Sequence, residues 1–245
     1  MVKNILGRVF TVWGAIVFIV SMVVFVPAVW VTDLYAEPKR TASFMQVVRI
    51  WMAVFFTLSG VRLRILGRDH FKKGENYIVV CNHNSMMDVP LSSPGIPGAN
   101  KTIAKIEMAK VPVFSIIYKR GSVLLDRKSD ASKRESYLAM KNVLENGMHM
   151  CIYPEGTRNK SEHPLKPFQD GAFRLSFDTG KKIIPCVIRG TRKMLPHNKT
   201  FFFWPGKVSM EFLPAIDPKD FASAGEMKEF VFNLMWESLE KRMMA

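Results

Sequence analysis

The sequence contains few cysteines, and they form no pattern typical of a metal site or a disulfide framework. The three cysteines among the 245 residues are Cys81, Cys151 and Cys186, and each lies in a short apolar run. Cysteines in such runs are typical of buried strand positions, and structural zinc sites need closely spaced ligand pairs. We therefore expect three buried thiols in a protein of a reducing compartment.

Acidic residues are also scarce. The chain has 21 Asp and Glu against 35 Lys and Arg, which gives a formal charge of +14. Such a charge favours phospholipid surfaces, phosphorylated substrates, acidic carrier proteins or nucleic acid. We exclude nucleic acid, because the sequence has no zinc-finger spacing, no aromatic RNA-binding motif and no convincing recognition helix. It also has no internal repeat and no low-complexity linker.

The N-terminal part contains a long run without charge. Val9 to Trp30 are 22 uncharged residues, which as a helix would extend about 33 Å and match the ~30 Å hydrocarbon layer of a bilayer. Trp13 and Trp30 lie towards its two ends, as aromatic residues at membrane interfaces do. A secretory signal has a shorter apolar core and a small-residue cleavage site. We predict a retained membrane anchor.

A second apolar stretch, from Phe44 to Gly60, contains Gln46 and Arg49 and is short for a span. We expect an amphipathic helix that packs beside the first helix or lies in the membrane interface, and a core helix of the soluble domain is the alternative. Basic residues flank the first helix on both sides, which leaves its topology open. We predict membrane-anchoring helices over residues 1–60 and one further domain over residues 61–245.

Beyond residue 61, strand-like and helical runs alternate. We predict strands at 77–81, 122–126, 148–153, 183–188 and 208–213. A helix is predicted from Ser132 to Asn146, and a C-terminal helix opens with a capping pattern at Ser223 and Glu226. Pro185 predicts that its strand lies at a sheet edge or that the proline begins it. Strands separated by helices predict a layered α/β domain.

His83 and Asp88 are the first candidates for chemistry. Five residues turn an ideal helix by about 140° from one face, so the two cannot share a regular helical face. If His83 lies in the turn after its strand and Asp88 in the helix that begins near Ser85, Asp88 can accept a bond from one ring nitrogen. The other nitrogen is then free to act as a base. A chance pairing is the alternative.

A turn that can hold phosphate follows the strand at 148–153. Gly156 allows close approach of a ligand to the backbone, and Arg158 can grip a phosphate through two parallel donors. Lys105 and Arg127 could add charge to such a site. An ordinary turn with solvated charges is the alternative. Because no obvious serine or cysteine nucleophile lies between these motifs, we expect a hydroxyl of the substrate to attack, and the apolar N-terminus points to a lipid.

Two of these motifs resemble those of the glycerolipid acyltransferase family. The family's Asn-His-x-x-x-x-Asp motif is matched by Asn82, His83 and Asp88. Its Phe-Pro-Glu-Gly-Thr-Arg motif is matched over residues 154–158, with Tyr153 in place of phenylalanine. The two motifs occur along the chain in the order that the family shows.

Two further motifs complete the resemblance. Gly-x-x-Phe-(Ile/Leu)-x-Arg is matched at Gly121, Leu125 and Arg127, with Leu124 in the phenylalanine position, and a (Val/Ile)-Pro-(Val/Cys) strand is matched over residues 184–186. Together the motifs extend from residue 82 to residue 186, and 1-acylglycerol-3-phosphate acyltransferases are the members that the chain resembles most. A departure is the segment Phe168-Gln169-Asp170-Gly171-Ala172, where many relatives carry lysines before the Gly-Ala.

The resemblance implies an acyltransferase domain over residues 61–245, with a mixed sheet flanked by helices. It implies transfer of a fatty acyl group to the sn-2 hydroxyl of lysophosphatidic acid, which makes phosphatidic acid for phospholipid biosynthesis. His83 would deprotonate the hydroxyl and Asp88 would orient His83. The residues that would bind the acceptor are Lys105, Arg127, Glu155, Gly156, Thr157 and Arg158.

The implied partners are a membrane phospholipid surface, lysophosphatidic acid and an acyl donor, either acyl-CoA or acyl carrier protein. No metal and no cofactor are expected. The expected location is the cytoplasmic face of a bacterial inner membrane. One alternative is the same transfer to another lysolipid, such as lyso-ornithine lipid. A membrane-anchored lipid-binding protein without activity is an alternative of a different class.

Overall fold

Two long apolar helices, α1 (Val2–Val31) and α2 (Lys39–Leu58), open the chain in the computed structural model, which describes residues 2–126 and 128–241. Trp13 Nε1 donates to Leu58 O, and Trp51 Nε1 donates to Ser21 Oγ, both at 2.9 Å. These contacts make the helices an antiparallel hairpin. Length and composition would allow either helix to cross a membrane, a property that they share with buried core helices.

The hairpin packs against the rest of the protein along its length. Arg49 of α2 donates to Pro94 O at 3.1 Å and to Ile96 O at 2.8 Å. Near the start of α1, the ring of Phe202 packs directly against Gly7, and a Cβ at this position would clash with the ring. The two bonds of Arg49 explain why an apolar helix carries a charge, because the guanidinium joins α2 to the sheet domain.

A seven-stranded mixed sheet forms the centre of the domain. The strand order is β1-β7-β6-β2-β5-β3-β4. Within the described residues β6 and β7 pair antiparallel and the other neighbours pair parallel. This arrangement confirms the predicted fold class. The strands are β1 (Arg62–Leu66), β2 (Ile78–Cys81), β3 (Asn100–Lys105), β4 (Ser122–Leu125), β5 (His149–Ile152), β6 (Ile183–Arg189) and β7 (Lys207–Phe212).

Helices cover both faces of the sheet. On one face Ile78 and Val80 pack in a core with residues of α5, α6 and α8, whereas Val79 and Cys81 point to a second core on the other face. All three cysteines are free and buried, as predicted. The helices of the domain are α3 (Asp88–Gly95), α4 (Phe114–Gly121), α5 (Asp130–Glu145), α6 (Gly171–Thr179), α7 (Thr191–Met194) and α8 (Ala224–Lys241).

The sequence-based prediction was wrong on the position of Pro185. It is the third residue of β6, an interior strand between β2 and β7. Leu213, just beyond β7, donates to Pro185 O at 2.8 Å. The reciprocal bond, for which proline has no N–H, falls past the end of β7, so an interior strand tolerates the proline here.

Two strands were missed and one helix was predicted to begin too early. β1 begins with alternating arginine and apolar residues and β3 begins with three polar residues, so both lack the continuous apolar run of a buried strand. Helix α3 begins at Asp88, three residues beyond Ser85. The backbone N–H groups of Asn84 and Ser85 bond to the Asp88 carboxylate in a tight turn, so they do not enter the helix.

Candidate active site

The candidate site lies at the carboxyl edge of the parallel strands. β2, β3, β4, β5 and β6 all run in the same direction, so the chain leaves each of them at this edge. Ligand sites of open α/β sheets lie in this place, because the loops that follow the strands meet there. The loops after β2 and β5 carry the predicted residues.

Asn82 holds the start of the loop after β2. It is fully buried, its Nδ2 donates to Ile188 O at 2.9 Å and its Oδ1 accepts the N–H of Ile188 at 2.7 Å. The amide side chain thus pairs with β6 as a backbone peptide would. The next residue, His83, therefore leaves the sheet from a firmly held position.

His83 and Asp88 are in direct contact. His83 Nδ1 lies 2.9 Å from Asp88 Oδ2, and the same oxygen accepts the N–H groups of Asn84 and Ser85 at 2.7 Å each. Asp88 is fully buried, whereas 19% of the His83 side chain is exposed. A carboxylate on Nδ1 makes this nitrogen the protonated one, and the lone pair of Nε2 is then available as an acceptor. No described residue bonds to Nε2.

The ring of Tyr153 supports the imidazole from beside it. The two ring centroids are 4.4 Å apart with an interplanar angle of 35°. The Tyr153 hydroxyl lies 2.7 Å from Ser92 Oγ of α3, and both groups are buried. Sequence reasoning did not single out Tyr153 as part of the site, although a large aromatic residue at the end of a buried strand was the available signal.

Glu155 points inward. Its side chain is buried, Oε1 accepts the N–H of His83 at 2.6 Å, and Oε2 accepts the N–H of Lys166 at 2.9 Å. Burial raises the pKa of Glu155 to about 7, against the two backbone N–H donors, which lower it. Sequence reasoning placed Glu155 among the acceptor-binding residues and did not foresee these bonds.

The other residues of the turn after β5 face solvent. Gly156 has φ +71°, a left-handed conformation that glycine adopts without strain, and Thr157 and Arg158 are exposed. Lys166 Nζ bonds to Thr157 Oγ1 at 2.7 Å. No described acidic residue forms an ion pair with Arg158. The turn therefore presents unneutralised positive charge.

One of the two further predicted cations, Lys105, lies among the described residues. Lys105 ends β3 and is exposed at the same edge of the sheet, with β5 between its strand and β2. Neighbouring strands are about 4.8 Å apart, so β3 lies about 10 Å from β2, the strand that precedes His83. Arg127 lies outside the described residues.

His83, Asp88 and Arg158 thus define the chemistry that this edge of the sheet can perform. A histidine held by a buried carboxylate retains an open nitrogen, and a turn with an unpaired guanidinium lies beside it. The pair can remove a proton from an alcohol, and the turn can hold an anion. The fold and this site fit an enzyme that transfers a group with the help of a base.

The chain belongs to the acyltransferase family. A model of that family, described as Acyltransferase, matches residues 62–189, more than half of the chain. This region contains β1 to β6 and all the candidate site residues.

Individual relatives and a solved structure agree with this assignment. The chain is 28% identical over 192 residues to the mouse 1-acyl-sn-glycerol-3-phosphate acyltransferase alpha, covering 77% of this chain and 67% of the relative. It is 28% identical over 182 residues to the 1-acyl-sn-glycerol-3-phosphate acyltransferase of Haemophilus influenzae, covering 73% of each. The crystal structure of the lysophosphatidic acid acyltransferase PlsC from Thermotoga maritima superposes with a TM-score of 0.81 at 26% identity, over 99% of this chain and 97% of that one.

Proposed function

We propose that this protein transfers a fatty acyl group from an acyl thioester to the sn-2 hydroxyl of 1-acylglycerol-3-phosphate, and so forms phosphatidic acid. The observation that carries the proposal is the contact of His83 with Asp88, which leaves Nε2 open at the carboxyl edge of the sheet. The names of the mouse and Haemophilus relatives support the choice of acceptor.

The proposed reaction is a single acyl transfer in which His83 moves the proton. Nε2 takes the proton of the acceptor hydroxyl as its oxygen attacks the thioester carbonyl carbon. The new C–O ester bond forms, the C–S bond breaks, and the thiol leaves with a proton from the imidazolium or from water. Because the pKa of a thiol is about 8.5, the leaving group needs little acid assistance. Asp88 stabilises the imidazolium that forms.

The phosphate of the acceptor is proposed to bind the turn after β5. Gly156 and Thr157 bring the backbone to the ligand, and Arg158 supplies a fixed positive charge that no described carboxylate neutralises. Lys105, at the end of β3, and Arg127 are proposed to add charge. A guanidinium recognises phosphate through two parallel N–H donors, which selects an anionic head group over a neutral one.

The helix hairpin is proposed to associate with the membrane, where the lipid acceptor and product partition. One face of α1 exposes large apolar residues, among them Val9, Ile16, Val20 and Val23, each at least half exposed. The other face packs on α2 and on Phe202 and Phe203 of the sheet domain. A hairpin that crossed the bilayer would take the bonds of Arg49 into hydrocarbon, so an orientation along the interface fits better. Free buried thiols fit a reducing compartment, and the proposed location is the cytoplasmic face of a bacterial inner membrane.

Product identification by mass spectrometry tests the proposal. The purified protein in lipid or detergent is offered acyl-CoA or acyl carrier protein together with lysophosphatidic acid, lyso-ornithine lipid or lysophosphatidylcholine. We expect phosphatidic acid from lysophosphatidic acid at a higher kcat/KM than any other product. Preferred acylation of lyso-ornithine lipid would assign the other acceptor, and no acylation with either donor would refute acyl transfer.

A further inference from the structure

Both backbone polar groups of His83, its N–H and its carbonyl, form hydrogen bonds with the loop after β5. The N–H of His83 donates to Glu155 Oε1 at 2.6 Å, and the carbonyl of His83 accepts the N–H of Asn159, also at 2.6 Å. His83 lies outside β2 and α3, so neither a sheet ladder nor a helix satisfies these backbone groups. The position of the imidazole is therefore set from the loop after β5, about 70 residues along the chain.

Glu155 and Arg158 have opposite surroundings although they belong to one short turn. The carboxylate of Glu155 is 3% exposed and each of its oxygens already accepts a backbone N–H, whereas Arg158 is exposed. To bind a head group, Glu155 would have to release the His83 or Lys166 N–H and leave that donor unsatisfied. A carboxylate also repels the phosphate of the acceptor.

We infer that Glu155 is a positioning residue that holds the His83 backbone in the geometry for proton transfer, and that it is not a ligand of the acceptor's head group. This inference rests on the proposed function, because it assigns a role within the same reaction. It separates the four residues of the turn into one that faces the base and three that face the acceptor.

Steady-state kinetics distinguish the two roles of Glu155. Glu155→Gln keeps the size of the side chain but leaves one acceptor oxygen for two N–H donors. Because a displacement of about 1 Å can cost about 100-fold in rate, we expect kcat to fall about 10- to 100-fold, with the acceptor KM within about two-fold. Arg158→Ala is the matched variant in the same turn, and its effect should fall on the acceptor KM.

The opposite pattern overturns the inference. If Glu155→Gln raises the acceptor KM and leaves kcat unchanged, Glu155 contacts the head group. If both constants stay at their wild-type values, the two backbone bonds have no role in positioning.

Residue-resolved amide hydrogen exchange gives a second test that needs no activity. In the unsubstituted protein the His83 amide should exchange at least about ten-fold more slowly than that of exposed Thr157. Glu155→Gln should lower the protection of the His83 amide or of the Lys166 amide, because one acceptor oxygen remains for the two donors. Rapid exchange at His83 in the unsubstituted protein would overturn the inference even if Glu155→Gln fails to fold. A protein that shows the protection but acylates no lysolipid would refute the proposed function alone.

Discussion

Substitution of Asp88 should disturb the candidate site strongly, because one buried carboxylate oxygen accepts hydrogen bonds from three donors. Oδ2 accepts from His83 Nδ1 and from the N–H groups of Asn84 and Ser85, and Oδ1 is buried without a partner among the described residues. Asp88→Asn preserves the shape of the side chain and removes its charge. We predict that this variant folds but loses most of its turnover.

The expected magnitude follows from these contacts. A hydrogen bond to a charged group contributes about 1.5–3 kcal/mol and a neutral one about 0.5–1.5 kcal/mol, so the loss of charge costs about 1 kcal/mol for each of the three bonds. The free energy of unfolding should therefore fall by about 3 kcal/mol. Because the imidazolium of His83 loses its counter-charge, we expect kcat to fall about 10²- to 10⁴-fold, with little change in the acceptor KM.

The assay follows thiol release from acyl-CoA, with denaturant titration of the same preparation to measure stability. Asp69→Asn is the matched control, because Asp69 is exposed in the turn at residues 68–70 and should give wild-type values in both measurements. A kcat for Asp88→Asn within about three-fold of the wild type, far below the general-base contribution, would refute the role of Asp88 in orienting His83.

Three further variants test other contacts. Arg158→Ala should raise the KM for lysophosphatidic acid about 10-fold or more with kcat largely kept, because one charge-assisted contact contributes about 1.5–3 kcal/mol; an unchanged KM in acylation assays would contradict phosphate binding there. Tyr153→Phe should cost about 1 kcal/mol of unfolding free energy, because Ser92 loses its partner, and should keep kcat within a few-fold, because the ring remains beside His83; a larger loss of kcat would give the hydroxyl a role in the reaction. Glu155 has a pKa of about 7 in the folded protein against an ordinary value of 4.5, so its neutral form stabilises the fold at low pH and this stabilisation is lost as the pH rises from about 4.5 to about 7. Relative to Glu155→Gln, the wild type should lose about 3 kcal/mol across that range in urea titrations, and parallel pH curves for the two proteins would contradict the shift.

The local sequence contained enough information to predict the arrangement of the loop after β2. A buried run followed by polar residues indicated the strand end, and the five-residue spacing of His83 and Asp88 required a turn between them. The contact of the two side chains needs only these few residues, so a short-range argument could anticipate it. The start of α3 was placed too early because the turn bonds of Asn84 and Ser85 to a side chain have no clear sequence signal.

Other features depend on contacts between distant parts of the chain. The inward orientation of Glu155 depends on the N–H of His83. The guanidinium of Arg49 bonds to carbonyl groups at the end of α3 and just beyond it, 45 and 47 residues further along the chain. In the sequence, Glu155 looks like part of an exposed turn and Arg49 like a defect in an apolar helix. The position of Pro185 was predicted wrongly for the same reason. Its place in an interior strand depends on where the neighbouring strand β7 ends, which the sequence of β6 does not reveal.

A comparison of His83→Gln with His197→Gln in the conversion of lysophosphatidic acid to phosphatidic acid tests whether the imidazole of His83 is the base. Glutamine cannot accept and pass on a proton as imidazole does, and His197 is an exposed residue outside the candidate site. We predict that His83→Gln lowers kcat by at least about 100-fold while remaining folded, and that His197→Gln matches the wild type. Turnover of His83→Gln at the wild-type rate would contradict the claim that this imidazole is the base.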